Sequence, residues 1–450
     1  MRHSHISIGL VILCAAACVS LPVAAAEPPA AYVSAPATAQ AGQTITLAAL
    51  IANRSDKAVK FTYQAEASGL TVDKTTLKRQ VWLAGKACLP IRWTAQAPKP
   101  GEARFALSID GKAAAQHTLR IVAARETPVV SEVVDLTGEP ATIPLPEPGV
   151  KYEIDITITA GARGELATML AGLRQVHGFS TNAIVARQIA PATLGDPTTA
   201  DLGLLAALQH SSGDWGPTPM DGPTVRTTSW VTFWLGHLAR SGGEVDAKML
   251  DAAIKSLRKS LPSATTEMRT RILTALAANG KATKNDLALI DAAGIEDMSR
   301  PGRLLAVSAG AAQPLPVGKR WGELSVIETA ALVLCLKRTG RTDAALPQLP
   351  RLVKLRGVTP EFGSHPAVLY ALALAELAEP IKANPDAPEK VRVQLSGDKS
   401  RMLTAISQRP FARLTFTALA AAKTKPSLTI SKRSGSGKRV FCRVVVRPVK

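Results

Sequence analysis

Apolar and polar residues alternate one by one through much of residues 30–125. Ile45, Leu47, Ala49 and Ile51 fall on one face of such a run, with Thr44, Thr46 and Ala48 on the other. Val59, Phe61, Tyr63 and Ala65 alternate with Lys60, Thr62, Gln64 and Glu66. The same holds for Ile91, Trp93 and Ala95, for Ala103, Phe105, Leu107 and Ile109, and for His117, Leu119 and Ile121. A period of two sends successive side chains to opposite faces, so each run predicts a half-buried strand. Ala41-Gly42, Asn53 to Asp56, Ser68-Gly69, Lys99 to Gly101 and Asp110-Gly111 supply turns between them. With strands near Tyr32 and Val81 there are about seven in roughly ninety-five residues, a density that predicts an immunoglobulin-like β-sandwich over 27–125. Trp82 and Trp93 are expected in its packing, and His117, in phase with core positions, as a packed histidine.

Val130–Leu136, Ala141–Leu145 and Tyr152–Thr159 continue in β style, punctuated by Pro140, Pro146, Pro148 and Gly149. A piece of that size cannot bury a core alone. Lys390–Leu395, Leu414–Ala418, Ser427–Ser431 and Arg439–Arg447 read as further strands around Gly/Ser turns. The expectation is one β-module made of two separated stretches, 126–162 and 385–450.

Between them, over 163–384, the period becomes helical. Leu166, Met169, Leu170 and Leu173 stand at i, i+3, i+4, i+7, and Leu202, Leu205, Ala206 and Leu208 follow in a similar way. Further helices are expected over Trp230–Leu238, Met249–Leu261, Met268–Ala277, Leu287–Ala292, Leu304–Ala311, Val326–Leu336, Leu346–Leu355 (weakened at its start by Pro347 and Pro350) and Ala367–Leu377. Gly242-Gly243, Gly280 and Gly340 are expected stops, and Thr199 and Asp246 expected N-caps. Small Ala-rich faces let helices approach closely. Without a strict sequence repeat, a closed α/α toroid is expected over an open solenoid.

The chain's ends change the picture. Arg2, His3 and His5, the apolar Ile6–Val19 and then Ala24-Ala25-Ala26 follow the three-part pattern of a secretory signal over 1–26. Export, to the periplasm or beyond, is therefore expected. Cys18 as a lipid-anchored residue is the lesser option, because the large aliphatic usual three positions upstream is missing. No later apolar run is long enough for a membrane span. Cys88, Cys335 and Cys442 remain, too scattered for a disulfide framework or zinc spacing, and at most one pair could form. The net charge is +19, of which +13 falls within 389–450. That stretch, with Lys432, Arg433, Lys438 and Arg439, favours an anionic partner. For an exported protein, an acidic protein or envelope surface comes before nucleic acid.

Some residues are recognisable. Leu208-Gln209-His210-Ser211-Ser212-Gly213-Asp214-Trp215-Gly216 resembles the Leu-Gln, then Gly-aromatic, turn of α/α toroids. Thr228-Ser229-Trp230 with Leu238 to Gly243, Ile327 to Ala330, Leu352 to Arg356 and Glu361 to Ser364 resemble later parts of the same domain. With the order of parts, the chain resembles the C-terminal part of bacterial α2-macroglobulins. That resemblance implies a macroglobulin-type sandwich, half of a CUB-like β-domain, the thioester-type toroid, and the other CUB-like half. In the family the reactive bond joins a Cys thiol to a Gln three residues on, at the start of a toroid helix. The corresponding stretch here is His177-Gly178-Phe179-Ser180-Thr181-Asn182, and no cysteine lies between Cys88 and Cys335. The covalent trap is therefore expected to be absent, with a protease or a larger macroglobulin-like chain as the partner implied.

Enzyme readings find little support. Toroidal terpene cyclases resemble one another in an Asp-rich motif, and none is present. Aromatics make up only 4% of the chain, few for a cavity that must stabilise carbocations. Cys335 and His365 are at best two members of a zinc set. Asp214, Asp221, Glu323 and Glu361 are possible glycosidase carboxylates, but nothing pairs them. No nucleophile elbow, phosphate loop or His-Glu-x-x-His motif occurs. No cofactor and no enzymatic activity are expected. His210 with Trp215, Trp230 and Trp234 are candidates for a protein-binding surface at one end of the toroid, with ordinary helix-end packing as the preferred alternative.

Overall fold

The computed structural model describes residues 29–73, 77–195, 202–286, 324–357, 365–378, 387–396, 400–406, 409–419, 426–435 and 438–449. The expected signal segment, Cys18, Thr199, Glu323, Glu361 and the two expected helices at 287–292 and 304–311 lie outside them.

The first unit is a sandwich of strands β1 (Ala30–Ser34), β2 (Thr38–Gln40), β3 (Thr44–Ala52), β4 (Val59–Ser68), β5 (Thr71–Val72), β6 (Lys78–Leu83), β7 (Cys88–Gln96), β8 (Gly101–Ile109) and β9 (Lys112–Val122). They form one sheet in the order β1-β3-β7-β5 and another in the order β2-β9-β8-β4-β6. Leu47, Trp93, Phe105, Leu107 and Leu119 fill the space between. The Trp93 ring meets Phe105 edge-on at 5.2 Å. The two strands beyond the seven expected, β2 and β5, are three and two residues long, too short to show a period. Trp82 departs from expectation, being 71% exposed. It sits on the edge strand β6, where Val81 and Leu83 take the inward phase and the indole points out, with Lys60 Nζ 5.9 Å from its centroid.

β3 also departs from a half-buried strand. From Leu47 to Ala52 both of its faces are covered. Ile45, Leu47, Ala49 and Ile51 face the sandwich core, while Ala48 and Leu50 join the core of the helical body. Alternation fails where a second unit packs on the outer face.

The second β-unit combines β10 (Val130–Asp135), β11 (Ala141–Pro144) and β12 (Lys151–Ala160) with β13 (Glu389–Leu395), β14 (Arg401–Ala405), β15 (Phe411–Leu419), β16 (Ser427–Ser434) and β17 (Val440–Pro448). Its sheets run β10-β17-β12-β15 and β11-β16-β13-β14. Both therefore mix strands from the two sides of the helical segment. β12 is central, pairing Ile158 with Cys442 on one side and Thr159 with Phe411 on the other. Ile154, Ile156, Val393, Ile430 and Val444 form the core between the sheets.

The chain leaves β12 directly into α1 (Gly161–Leu173), and the described helical segments continue as α2 (Thr181–Ile184), a π-helical turn (Val185–Ile189), α3 (Ala190–Thr193), α4 (Gly203–Ala207), α5 (Val225–Arg240), α6 (Ala247–Ser260) and α7 (Thr266–Ala278). After them come α8 (Val326–Arg338), α9 (Thr342–Ala345) with a 3-10 turn, α10 (Leu349–Arg356) and α11 (His365–Leu377). α5 packs on α7, α8 on α11, and α1 on α11. Three helices stop alike. Gly242, Gly280 and Gly340 take φ of 86°, 65° and 75°. The next residue then donates back to Leu238, Leu276 and Leu336 respectively. These are the left-handed stops that glycine adopts at no steric cost. Asp246 caps α6 through the amides of Lys248 and Met249. Ser325 and Glu328 form a reciprocal capping box on α8.

Candidate functional site

The loop between α1 and α2 carries the stretch singled out at 177–182. Gly178 has φ 98°, and its amide donates to Ser34 Oγ of the sandwich at 2.7 Å. Phe179 is buried beside it. Ser180 caps α2, its Oγ accepting from the Ala183 amide. Thr181 is held from both ends, its amide donating to Pro217 O at 2.9 Å and its hydroxyl to Gly216 O. Arg187, on the π-helical turn, reaches back and donates to Val176 O and Gly178 O at 3.1 and 3.3 Å. The loop is thus closed by hydrogen bonds and packed against β1. Arg187 carries no periodicity signal and escapes the sequence reading.

The stretch holds no thiol. Among the described residues the three cysteines are free. Cys88 lies in the sandwich and donates to Ala207 O at 3.1 Å. Burial pushes up the thiols of Cys88, Cys335 and Cys442, the last to about 12, so all are protonated and poor nucleophiles at neutral pH. No cluster of three or more His, Cys, Asp and Glu side chains suited to a metal occurs among the described residues.

The turn at 208–216 is a structural joint. Gln209 Nε2 donates to Gly213 O and to Met249 O of α6, both at 2.9 Å. Gly213 takes φ 92° and lies so close to Ala252 that a Cβ there would stand 2.4 Å from its carbonyl oxygen. Trp215 is fully enclosed and donates through Nε1 to Leu205 O at 2.9 Å. Trp230 is 8% exposed and stacks on Phe233 at 6.0 Å. These two rings and that of Trp234 are core, as the packing alternative has it, so of the candidate surface group only His210 is exposed. All three rings join the core of the helical body.

A buried charge network joins the helical body to the split β-unit. Glu165 of α1 is 0% exposed. Its two oxygens accept from Arg443 Nη1 and Nη2 of β17 at 2.7 and 2.6 Å. Arg356 of α10 and the Tyr370 hydroxyl of α11 reach Oε2 at 3.1 and 3.3 Å, and the Thr159 hydroxyl of β12 reaches Oε1. Burial alone would raise the Glu165 pKa; Arg443 first, then Arg356 and Thr159, outweigh it and hold the carboxyl below its usual range. Asp155, on the same outer face of the sheet, accepts from Arg447 and Arg125 at 2.8 and 3.2 Å.

The other expected residues are scattered. Lys432 pairs with Glu389 at 2.8 Å and Arg439 with Asp135 at 3.2 Å, which spends part of the basic charge expected to be free. Arg433 is exposed and Lys438 half-buried. Ser256 donates to Asp214, and Asp221 is an exposed turn residue hydrogen-bonded through its amide to Thr218 O. Neither contacts a second carboxylate among the described residues. No helix of the described residues is long and apolar enough to cross a membrane.

No family model matches the sequence, and no curated protein matches it. Solved structures do. The native conformation of E. coli α2-macroglobulin aligns over 94% of this chain at 16% identity with a TM-score of 0.50, and the chain spans 30% of that protein's length. An E. coli α2-macroglobulin fragment running from domain MG7 to the C-terminus aligns over 94% of this chain and 74% of its own, at 16% identity and TM-score 0.49. Salmonella α2-macroglobulin reacted with methylamine aligns over 94% of this chain and 31% of its own, at 16% identity and TM-score 0.45. The class is therefore a multidomain β-plus-α fold of macroglobulin type. At this identity the likeness is one of fold.

Proposed function

We propose that this chain is an exported, thioester-less macroglobulin-like protein that acts noncovalently and without enzymatic activity, as an interaction or accessory module in protease control at the cell envelope. In this reading the helical body is the α/α toroid and the split β-unit the CUB-like domain. One observation carries it: a macroglobulin-type fold runs along 94% of the chain, yet the loop at 177–182 has Ser180, Thr181 and Asn182 where a reactive thiol would be needed. A thioester needs a thiolate donor, and the hydroxyl of Ser180 is committed to capping α2. The neutralised Lys432 and Arg439 weigh against an anionic surface as the main partner.

The test mixes the purified chain with trypsin-like and elastase-like proteases and with a larger macroglobulin chain. Native gel filtration reads complexes, and denaturing gels read covalent adducts. The expected result is a complex with a protease or the macroglobulin chain that denaturant dissolves, with no methylamine uptake. A denaturant-resistant adduct, or binding only to anionic vesicles that salt abolishes, overturns the reading.

A further inference from the structure

Between the sandwich and the helical body lies a cavity of about 360 Å³. Tyr32, Ser34 and His117 line it from the sandwich, and Arg174, Arg187 and Gln188 from the helical side. None of its lining residues is Asp or Glu. Arg187 makes no ion pair among the described residues; its Nη1 donates to two backbone carbonyls, leaving Nε and Nη2 unused. Desolvation lowers the pKa of this guanidinium, the mark of a cation taken out of water without a counter-ion. Two buried side-chain atoms of the lining residues, His117 Nε2 and Gln188 Oε1, have no hydrogen-bond partner. Buried polar atoms are normally satisfied, so two orphans beside an unpaired cation call for a shared partner.

We propose that this cavity binds a small oxyanion, held by Arg187 and by His117 and Gln188 acting as donors. Each orphan atom converts to a donor by an ordinary step. The Pro36 carbonyl favours a proton on the His117 ring; with the hydrogen of the neutral ring on Nδ1, Nε2 is a bare acceptor, and protonation makes it a donor. Rotation of the Gln188 amide exchanges Oε1 for its NH₂. An anion so placed contacts both units and clamps them together at the loop that Gly178 and Ser34 already join.

Anion binding then takes up a proton at His117. Burial first, then Arg187, favours the neutral form of this ring when no anion is bound. The groups around it are Arg187, His177 and Arg174 on the helical side, and Arg54 hydrogen-bonded to the Tyr32 hydroxyl. Strands β1 and β2 bring no charged side chain. Glu102, Arg104 and Arg120 stand on the opposite, outer phase of β8 and β9. No nearby acid therefore competes for the proton among the described residues.

The experiment is calorimetric titration of the full chain with sulfate, whose charge is constant across the range, and separately with acetate, at about pH 5.5 and about pH 8. Stronger binding of sulfate marks a sulfate- or phosphate-type ligand, and stronger binding of acetate a carboxylate. Either supports the site if affinity rises about tenfold toward the acid side, the equivalent of one pKa unit. Arg187→Gln should abolish binding, and His117→Gln should keep the alkaline affinity but lose its pH dependence. Circular dichroism verifies the fold of each variant. No saturable binding of either anion at the lower pH overturns the proposal, as does an unchanged pH dependence in His117→Gln.

Discussion

Replacing Arg443 with Met tests what holds the helical body on the split β-unit. The substitution removes a guanidinium whose side chain is 7% exposed and leaves Glu165, at 0%, with two fewer charge-assisted bonds. Arg356 at 3.1 Å and the hydroxyls of Thr159 and Tyr370 remain. Breaking a buried ion pair from one side costs about 3–5 kcal/mol, because the other charge is left without its partner. The surviving Arg356 places the expected loss near the lower end, about 3 kcal/mol. The triple change Glu165→Leu, Arg356→Met and Arg443→Met removes the desolvated charges together and should cost less than Arg443→Met alone. Denaturant unfolding at neutral pH, followed by far-ultraviolet circular dichroism, measures both. Since the Glu165 pKa is depressed in the folded state, its contribution is present above the unfolded carboxylate pKa and fades only as acid passes below it. A loss of under about 1 kcal/mol for the single variant, or a triple variant worse than the single, would refute the assignment of this network as a charge-satisfied joint.

Two further outcomes are expected. His237, tilted on Phe233 at 4.5 Å, has its pKa lowered to about 3 by burial and then by Arg240. Its stability contribution is therefore complete above the unfolded value near 6.5 and falls as pH drops below it, by about 2 kcal/mol at about pH 5; His237→Phe should flatten the stability profile between about pH 6.5 and 4. In Gly236→Ala the usual helix gain of about 1 kcal/mol should be reversed, because the new Cβ would stand 2.7 Å from both Ala278 O and Asn279 Nδ2 of the α7 end. A net loss of about 1–3 kcal/mol is expected, and an unchanged or raised melting temperature would show that α5 and α7 separate freely.

Periodicity by itself locates most strands and helices, because a face that must be buried imposes a spacing of two or of about 3.6 on apolar residues. Thus Ile45 to Ile51, Leu166 to Leu173 and Met249 to Leu261 are readable without coordinates, as are the glycine stops at 242, 280 and 340 and the cap at Asp246. The cysteine inventory, too, belongs to the sequence: a loop at 177–182 without sulfur cannot supply a thiolate, whatever its shape. Elements of two or three residues, β2 and β5, hold too few positions for a period and stay invisible. The outward turn of Trp82 and the double burial of β3 were decided by which strand lies at an edge and which is covered by a second unit. The enclosure of Trp215, the pairing of Lys432 with Glu389, and the meeting of Glu165 with Arg443 across 278 positions of sequence were likewise decided only by tertiary packing. Local spacing encodes which face of a segment is apolar. It does not encode which distant segment covers that face, and the charges, orphaned acceptors and cavity of this protein all arise at those contacts.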